Sequence, residues 1–243
     1  MIKEEFFDLY KKIFAKNQLE DYCSDKIIEK MFEMSEYMLQ VNANMNLTAI
    51  TETADVIAKH LADSVMASKF IPCGARVCDV GCGGGFPSLP LAIARPDISI
   101  VGVDSTEKRI NYVNDSAKRL GLTNITAIAG RAEDLASASK YREVFDVCIA
   151  RAVANLPVLS ELCIPFVKVG GLFVAMKGKL NDDEMSNASQ ILGAEKLAEN
   201  KIVRYSLATQ SGEEDRCIVA LQKIAKTPDK YPRNYSQIKK KPL

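Results

Sequence analysis

Residues 77–93 read VCDVGCGGGFPSLPLAI: an apolar run holding one aspartate, a cluster of glycines, then a second apolar run. The first run has the length and composition of a buried strand, and the second suits a helix. Glycines between a strand and a helix let the backbone turn sharply and come close to a ligand. The stretch therefore predicts a ligand site at the head of an α/β sheet, and the ligand follows from the spacing.

Two phosphate-binding patterns fail here. The dinucleotide fingerprint G-x-G-x-x-G, begun at Gly81, meets Phe86 where its third glycine belongs. The phosphate loop of nucleotide triphosphatases needs Gly-Lys-Ser/Thr, and no lysine lies in this segment. What stands is D-x-G-x-G-x-G, formed by Asp79, Gly81, Gly83 and Gly85. That form resembles motif I of the S-adenosylmethionine-dependent methyltransferases. Their cofactor has no phosphate to cradle. It carries a sulfonium and an α-amino group, which a carboxylate such as Asp79 favours directly or through water.

Outward from the loop, short apolar runs alternate with helical patterns. Strands are predicted at ARVCDV, ISIVGVD, NITAIA, VFDVCIA and GLFVAMK, the last after a turn at VGG. The helix through EKRINYVNDSAKRLG buries Ile110, Val113, Ala117 and Leu120 and is capped by Gly121. Such alternation means a parallel sheet covered on both faces. A helix is expected over 181–193, then two strands around TQSGEED as a hairpin at the sheet edge. Before the sheet, helices are predicted over 3–16, 25–42 and 53–70. In the second, Ile27, Met31, Met34, Met38 and Val41 share one face, and the asparagines of NANMNLTAI end it.

The expected fold is thus α/β: a Rossmann-like, seven-stranded S-adenosylmethionine-dependent methyltransferase sheet with an antiparallel edge hairpin strand and an N-terminal helical extension. The organisation predicted is an extension over 1–70 packed on the core, a methyltransferase domain over 71–225 and a basic tail over 226–243.

Composition narrows the chemistry. Hydrophobic residues make up 47% and charged residues 26% of 243, which suits a globular core, and no apolar run is long enough to span a bilayer. The charged N-terminus does not look like a signal peptide, so a cytoplasmic protein without membrane contact is expected. Seven cysteines without a CxxC pair, beside a single histidine (His60), leave no ligand pattern for a metal. The net charge of +1 gives no global nucleic-acid signature, but the C-terminal segment KIAKTPDKYPRNYSQIKKKPL is strongly basic. A solvated tail explains such lysines as readily as a phosphate site does.

Further site candidates sit at strand ends. Asp104 closes the second strand, 23 residues past Gly81, where an acid takes both ribose hydroxyls. GRAED after the third strand offers an acid for the adenine amine, with Asp134 read as a solvated loop residue. Arg151 follows the fourth strand, placed to touch cofactor, to meet RNA phosphate or to form a structural ion pair with a loop carboxylate. Lys108, Arg109 and Lys177 are expected on the cofactor face as RNA-phosphate contacts. His60 serves the site or is a hydrogen-bonded structural residue.

The target atom is argued by what is missing. The Asn/Asp-Pro-Pro-aromatic tetrad of exocyclic-amine methylation is replaced by ARAVANLP, Cys163 in ELCIP reads as core rather than nucleophile, and no lysine-rich set for ribose methylation can be assembled. A ring nitrogen such as guanine N7 has a free lone pair and needs no base, so catalysis reduces to alignment.

The ordered set NLT (Asn46–Thr48), KHLADS (Lys59–Ser64), DVGCGGGFPSLPLAI, VDSTEKR (Val103–Arg109), GRAED, ARAVA (Ala150–Ala154) and KG (Lys177–Gly178) resembles the RsmG family, also called GidB, over nearly the whole chain. The resemblance implies methyl transfer from S-adenosylmethionine to N7 of a guanine in 16S rRNA near the decoding region, with free RNA or a small-subunit particle as partner. It implies cofactor contacts at Gly81, Phe86, Ala132, Glu133 and Arg151, and it favours Glu133 over Asp134. A methyltransferase acting on another RNA, a protein or a small molecule is the alternative.

Overall fold

The computed structural model describes residues 2–181, Glu184 and residues 187–243. Seven strands, β1 (Arg76–Val80), β2 (Ser99–Asp104), β3 (Ile125–Ala129), β4 (Phe145–Arg151), β5 (Val167–Lys177), β6 (Ile202–Ala208) and β7 (Glu213–Gln222), form one sheet in the order β3-β2-β1-β4-β5-β7-β6. β1 pairs in parallel with both β2 and β4, so the winding reverses between β1 and β4. The crevice that this reversal leaves beyond the strand ends is where open α/β sheets bind ligands. The hairpin enters antiparallel, with β7 wedged against β5 and β6 left as the outer edge.

Alternation along the strands divides the core between the two faces of the sheet. Val77, Val147, Ile149, Val174 and Met176 join one apolar cluster, while their neighbours Cys78, Cys148, Ala150, Phe173 and Ala175 join the other. The first cluster also takes the N-terminal helices α1 (Lys3–Lys16) and α2 (Asp25–Met45), through Phe6, Tyr10, Phe14, Met31, Met34 and Met38. The methionine stripe of α2 is core, though Ile27 is only partly buried and Ile28 takes the inner position. α5 (Ser88–Ala94) and α6 (Glu107–Arg119) cover the same face, while α7 (Ala132–Ser137) and α8 (Leu156–Cys163) cover the other.

Three expectations change. α2 runs through the asparagines to Met45 and stops at Asn46, in left-handed conformation at φ 51°. Asparagine accepts that geometry, and Asn42 brackets the exit by donating to the Thr48 carbonyl and accepting from the Thr48 amide, both at 2.9 Å. The residues at VGG are not a turn before β5 but an irregularity within it: Phe145 faces Val167 and Val147 already faces Leu172, so β5 carries the extra residues as a bulge. Of the helix expected over 181–193, the described residues show a 3-10 turn at Glu184 and the short α-helix α9 (Ala188–Ile191), and residues 182, 183, 185 and 186 lie outside them.

The third N-terminal helix is continuous but uneven. α3 (Thr53–Asp55) passes into π geometry over Val56–Ala62 and returns to α4 (Asp63–Met66). The widened turns hold Lys59 and His60, and such insertions concentrate at functional sites. At the other end of the chain, α10 (Tyr235–Lys240) buries Ile238 against the cluster around α8. Among the described residues no helix is long and apolar enough to cross a membrane.

Candidate active site

The glycine loop is fastened to the neighbouring strand before it reaches the crevice. The amides of Gly81 and Cys82 donate to the Val103 carbonyl at 2.7 and 3.0 Å. Gly81 turns at φ +74° and Gly85 at φ +85°, and a Cβ on Gly85 would sit 2.4 Å from the Leu89 side chain. Only glycine meets both demands, so the loop is built for close approach. Gly83 donates its amide to Asp104 Oδ2 at 3.1 Å, and Thr106 donates to Oδ1 at 2.8 Å. The strand-end carboxylate is thereby fixed at the rim, with lone pairs left over for a ligand.

Two cavities lie side by side along this rim. One, of about 380 Å³, is lined by Gly81, Asp104, Arg109, Ala132, Glu133 and Tyr235. The other, of about 570 Å³, is bordered by Lys59, His60, Asp63, Arg151, Lys177 and Arg216. Ala152 borders both, and its φ of +56° is left-handed for a residue with a Cβ. Strained backbone of this kind gathers at ligand sites.

The predicted residues fall into three groups. Gly81, Asp104, Ala132 and Glu133 converge on the smaller cavity, joined by Arg109, whose Nη1 lies 3.9 Å from Asp104 Oδ2. Arg151 and Lys177 border the larger one. Asp79, Gly83 and Phe86 line neither cavity, Lys108 is exposed outside both, and Asp134 is solvated as expected but stands in the first turn of α7 rather than in a loop.

Asp79 is wholly buried under the loop. Ser88 donates its hydroxyl to Oδ2, while Oδ1 has no partner. Burial pushes its carboxyl up to about 6, against the opposing effects of the Ser88 hydrogen bond and the Arg151 charge. It lies beneath the loop with one carboxylate oxygen unpartnered, and it does not reach either cavity.

Phe86 supports the second cavity from behind. Its ring stacks on His60 at 4.3 Å and 13°, and the Arg151 guanidinium lies 5.5 Å from its centroid. His60, which borders the larger cavity, is hydrogen-bonded through both ring nitrogens. Arg151 Nη2 can only donate, so at 3.3 Å it makes His60 Nδ1 the acceptor, and Nε2 carries the proton toward Thr48 Oγ1 at 2.8 Å. Burial, then the Arg151 charge, pull the imidazole down to about 3. It is neutral, and neither nitrogen is free to take a proton.

Arg151 makes the ion pair held open in the sequence, but with a helix carboxylate. Its Nη1 donates to Asp63 Oδ2 and to the Lys59 carbonyl, each at 2.9 Å. Asp63 Oδ1 accepts from the Tyr205 hydroxyl at 2.9 Å, and Arg216 Nε lies 3.6 Å away. Lys177 is paired with Glu184 at 2.5 Å and donates to the Ala154 carbonyl at 3.3 Å, so it ties the segment after β4 to the rim. Sequence reasoning gave no role to Asp63, Lys59, Tyr205, Arg216 or Tyr235. Of these, Lys59 and Asp63 stand within KHLADS, the one signal that pointed to them.

The sheet order and the crevice at the β1/β4 reversal define a Rossmann-like, seven-stranded α/β fold. The same fold is found in an O-methyltransferase from Bacillus cereus in complex with SAH (17% identity, TM-score 0.53, covering 79% of this chain and 91% of that one) and in cofactor-bound Rv0187 from MTB (18%, TM-score 0.52, 84% and 92%). Residues 27–211 match the GidB family model, described as rRNA small subunit methyltransferase G. Relatives named ribosomal RNA small subunit methyltransferase G are 40% identical in Lactobacillus acidophilus, over 90% of this chain and 92% of the relative, and 41% identical in Clostridium novyi, over 90% of each. The chain belongs to this family of S-adenosylmethionine-dependent methyltransferases.

Proposed function

We propose that this protein transfers the methyl group of S-adenosylmethionine to N7 of a guanine in 16S rRNA near the decoding region, on RNA or a small-subunit particle in the cytoplasm. The observation that carries the reading is the pair of cavities meeting at Ala152: one built around carboxylates, the next bordered by Lys59, Arg151, Lys177 and Arg216.

The residues fit the cofactor. Asp104 would accept from the ribose hydroxyls and Glu133 from the adenine amine, and Gly81 would let the backbone approach. Arg151 borders the larger cavity, and Phe86 backs it through its stack on His60. When bound, S-adenosylmethionine supplies an electrophilic methyl carbon. Attack by the N7 lone pair would be matched by return of the S–C pair to sulfur, so the chain would have no proton to remove from the base. A pocket whose histidine is neutral and fully hydrogen-bonded is sufficient, because the chain has only to align the reactants and exclude water. Lys108, Arg109 and Lys177 contribute contacts to RNA phosphates at the rim.

The test incubates the purified chain with methyl-labelled S-adenosylmethionine and small-subunit particles or RNA from a strain lacking the modification. Label recovered as 7-methylguanosine is the expected result. Label in another nucleoside, in protein or in a small molecule overturns the assignment.

A further inference from the structure

We propose that Tyr235, in the C-terminal segment beyond the family-matched residues, forms the outer wall of the cofactor cavity and packs its ring against the adenine. This inference rests on the cofactor reading above. Tyr235 lines the cavity that holds Asp104 and Glu133, although it lies far from both in sequence. The matched family region ends at residue 211.

The position of the ring identifies which end of the cavity it closes. The Arg131 guanidinium lies 5.7 Å from the Tyr235 ring centroid. Arg131 stands two residues before Glu133, the acid assigned to the adenine amine, so the ring stands at the base end rather than the methionine end. Its partner Arg131 is itself a cavity residue.

The backbone that carries Tyr235 is pinned on both sides. Arg233 grips the fully buried Glu161 of α8 through its amide at 2.9 Å, its Nε at 2.8 Å and its Nη2 at 2.5 Å. Arg142 donates to the Tyr231 carbonyl at 2.8 Å and the Thr227 carbonyl at 2.9 Å. Asn234 caps α10 by accepting from the Gln237 amide at 3.0 Å, and Ile238 is completely buried one turn on. An exposed aromatic between such anchors loses little freedom on meeting a ligand, which makes it an effective stacking platform. Tyr235 is 37% exposed, so its ring is neither spent in the core nor free in solvent.

The experiment measures S-adenosylhomocysteine binding by calorimetry for the full chain and for Tyr235→Ala, Tyr235→Phe and Asp104→Ala, with thermal melts of each. Base–aromatic stacking predicts roughly ten-fold weaker binding for Tyr235→Ala. Tyr235→Phe, which keeps the ring, is expected to bind like the parent, a rescue that loss of the phenol hydroxyl alone would not give. Tyr235→Ala binding as tightly as the parent, while Asp104→Ala is weakened, overturns the wall and leaves the cofactor reading standing. A parent chain that binds no S-adenosylhomocysteine overturns both. Equal weakening in Tyr235→Phe and Tyr235→Ala assigns the effect to the hydroxyl and overturns ring packing.

Discussion

Arg151, at the end of β4, and Asp63, at the start of α4, form a 2.9 Å ion pair between residues 88 apart in the chain. The pair joins the N-terminal helices to the crevice end of the sheet. Tyr205 and Arg216 complete it from β6 and β7, so four separate elements meet on one carboxylate. With Asp63 side chain 7% and Arg151 side chain 13% exposed, water does little of the solvation. A buried carboxylate of this kind is tolerable only because its hydrogen-bond partners replace water.

Breaking the pair from one side strands the other charge. Asp63→Ala is expected to cost about 3 kcal/mol of stability, the usual penalty for an uncompensated buried charge. Urea unfolding of the parent, Asp63→Ala, Arg151→Leu and the double variant measures it. The double variant should be less destabilised than the sum of the singles. Additive losses, or a single-variant loss under about 1 kcal/mol as at exposed pairs, would show that solvent screens the site.

His60 gives a second check, made clean because it is the chain's single histidine. Its folded value of about 3 lies below the usual 6.5, so the imidazole stays neutral throughout the physiological range. Its carbon-bound proton resonances should stay flat from pH 8 down to pH 5. Stability from this group is present above pH 6.5 and falls as pH drops toward 3, where the unfolded chain binds the proton first. A titration midpoint near 6.5 in the folded protein would refute the buried, neutral assignment and reopen His60 as a base.

Asp104 separates cofactor binding from RNA binding. Hydrogen bonds to a charged group contribute about 1.5–3 kcal/mol, so Asp104→Ala should weaken S-adenosylhomocysteine about ten-fold or more. Lys177→Ala is expected to weaken RNA binding with a smaller effect on the cofactor. Calorimetry with S-adenosylhomocysteine and filter binding with small-subunit RNA read the two effects independently. Equal losses of both in Lys177→Ala would mean that its links to Glu184 and Ala154 shape the cofactor wall and that it is not an RNA contact.

The parts of this site legible in the sequence are those with a local signature. Gly81 and Asp104 stand at strand ends, where strand, turn and helix alternate at fixed spacing, and both border the predicted crevice. Asp79 was legible as a strand-end acid, but its complete burial was not, because that depends on α5 delivering Ser88 over it. The network at Asp63 left no trace beyond its helix, since Tyr205 arrives from 142 residues away. Tyr235 was hidden for the same reason: a lysine-rich terminal segment reads as solvated, and long-range contacts such as Arg233–Glu161 and Arg142–Tyr231 bring it to the cavity. The asparagines after Val41 looked like helix breakers, yet Asn42 serves the exit from α2 as a bracket and Asn46 as its left-handed cap.

Asp79 supplies the last prediction, and its sign differs from that of an ordinary paired carboxylate. The folded value of about 6 lies above the usual 3.8, so between these pH values the folded chain holds the proton that the unfolded chain has lost. Stability from this group is therefore fully present below pH 3.8 and declines as pH rises to 6, then stays reduced. Asp79→Asn, which cannot ionise, should be more stable than the parent at pH 8 by up to about 3 kcal/mol, with the advantage vanishing below pH 4. Paired urea titrations at pH 4, 5, 6 and 8 give the difference curve in which the other carboxylates cancel. A cationic ligand above the loop favours the ionised form, so S-adenosylmethionine should reduce the advantage of Asp79→Asn at pH 8. A difference curve that rises toward low pH would mean that Asp79 is stabilised as a charge in the free protein, and its orphaned Oδ1 would then need a partner from the chain.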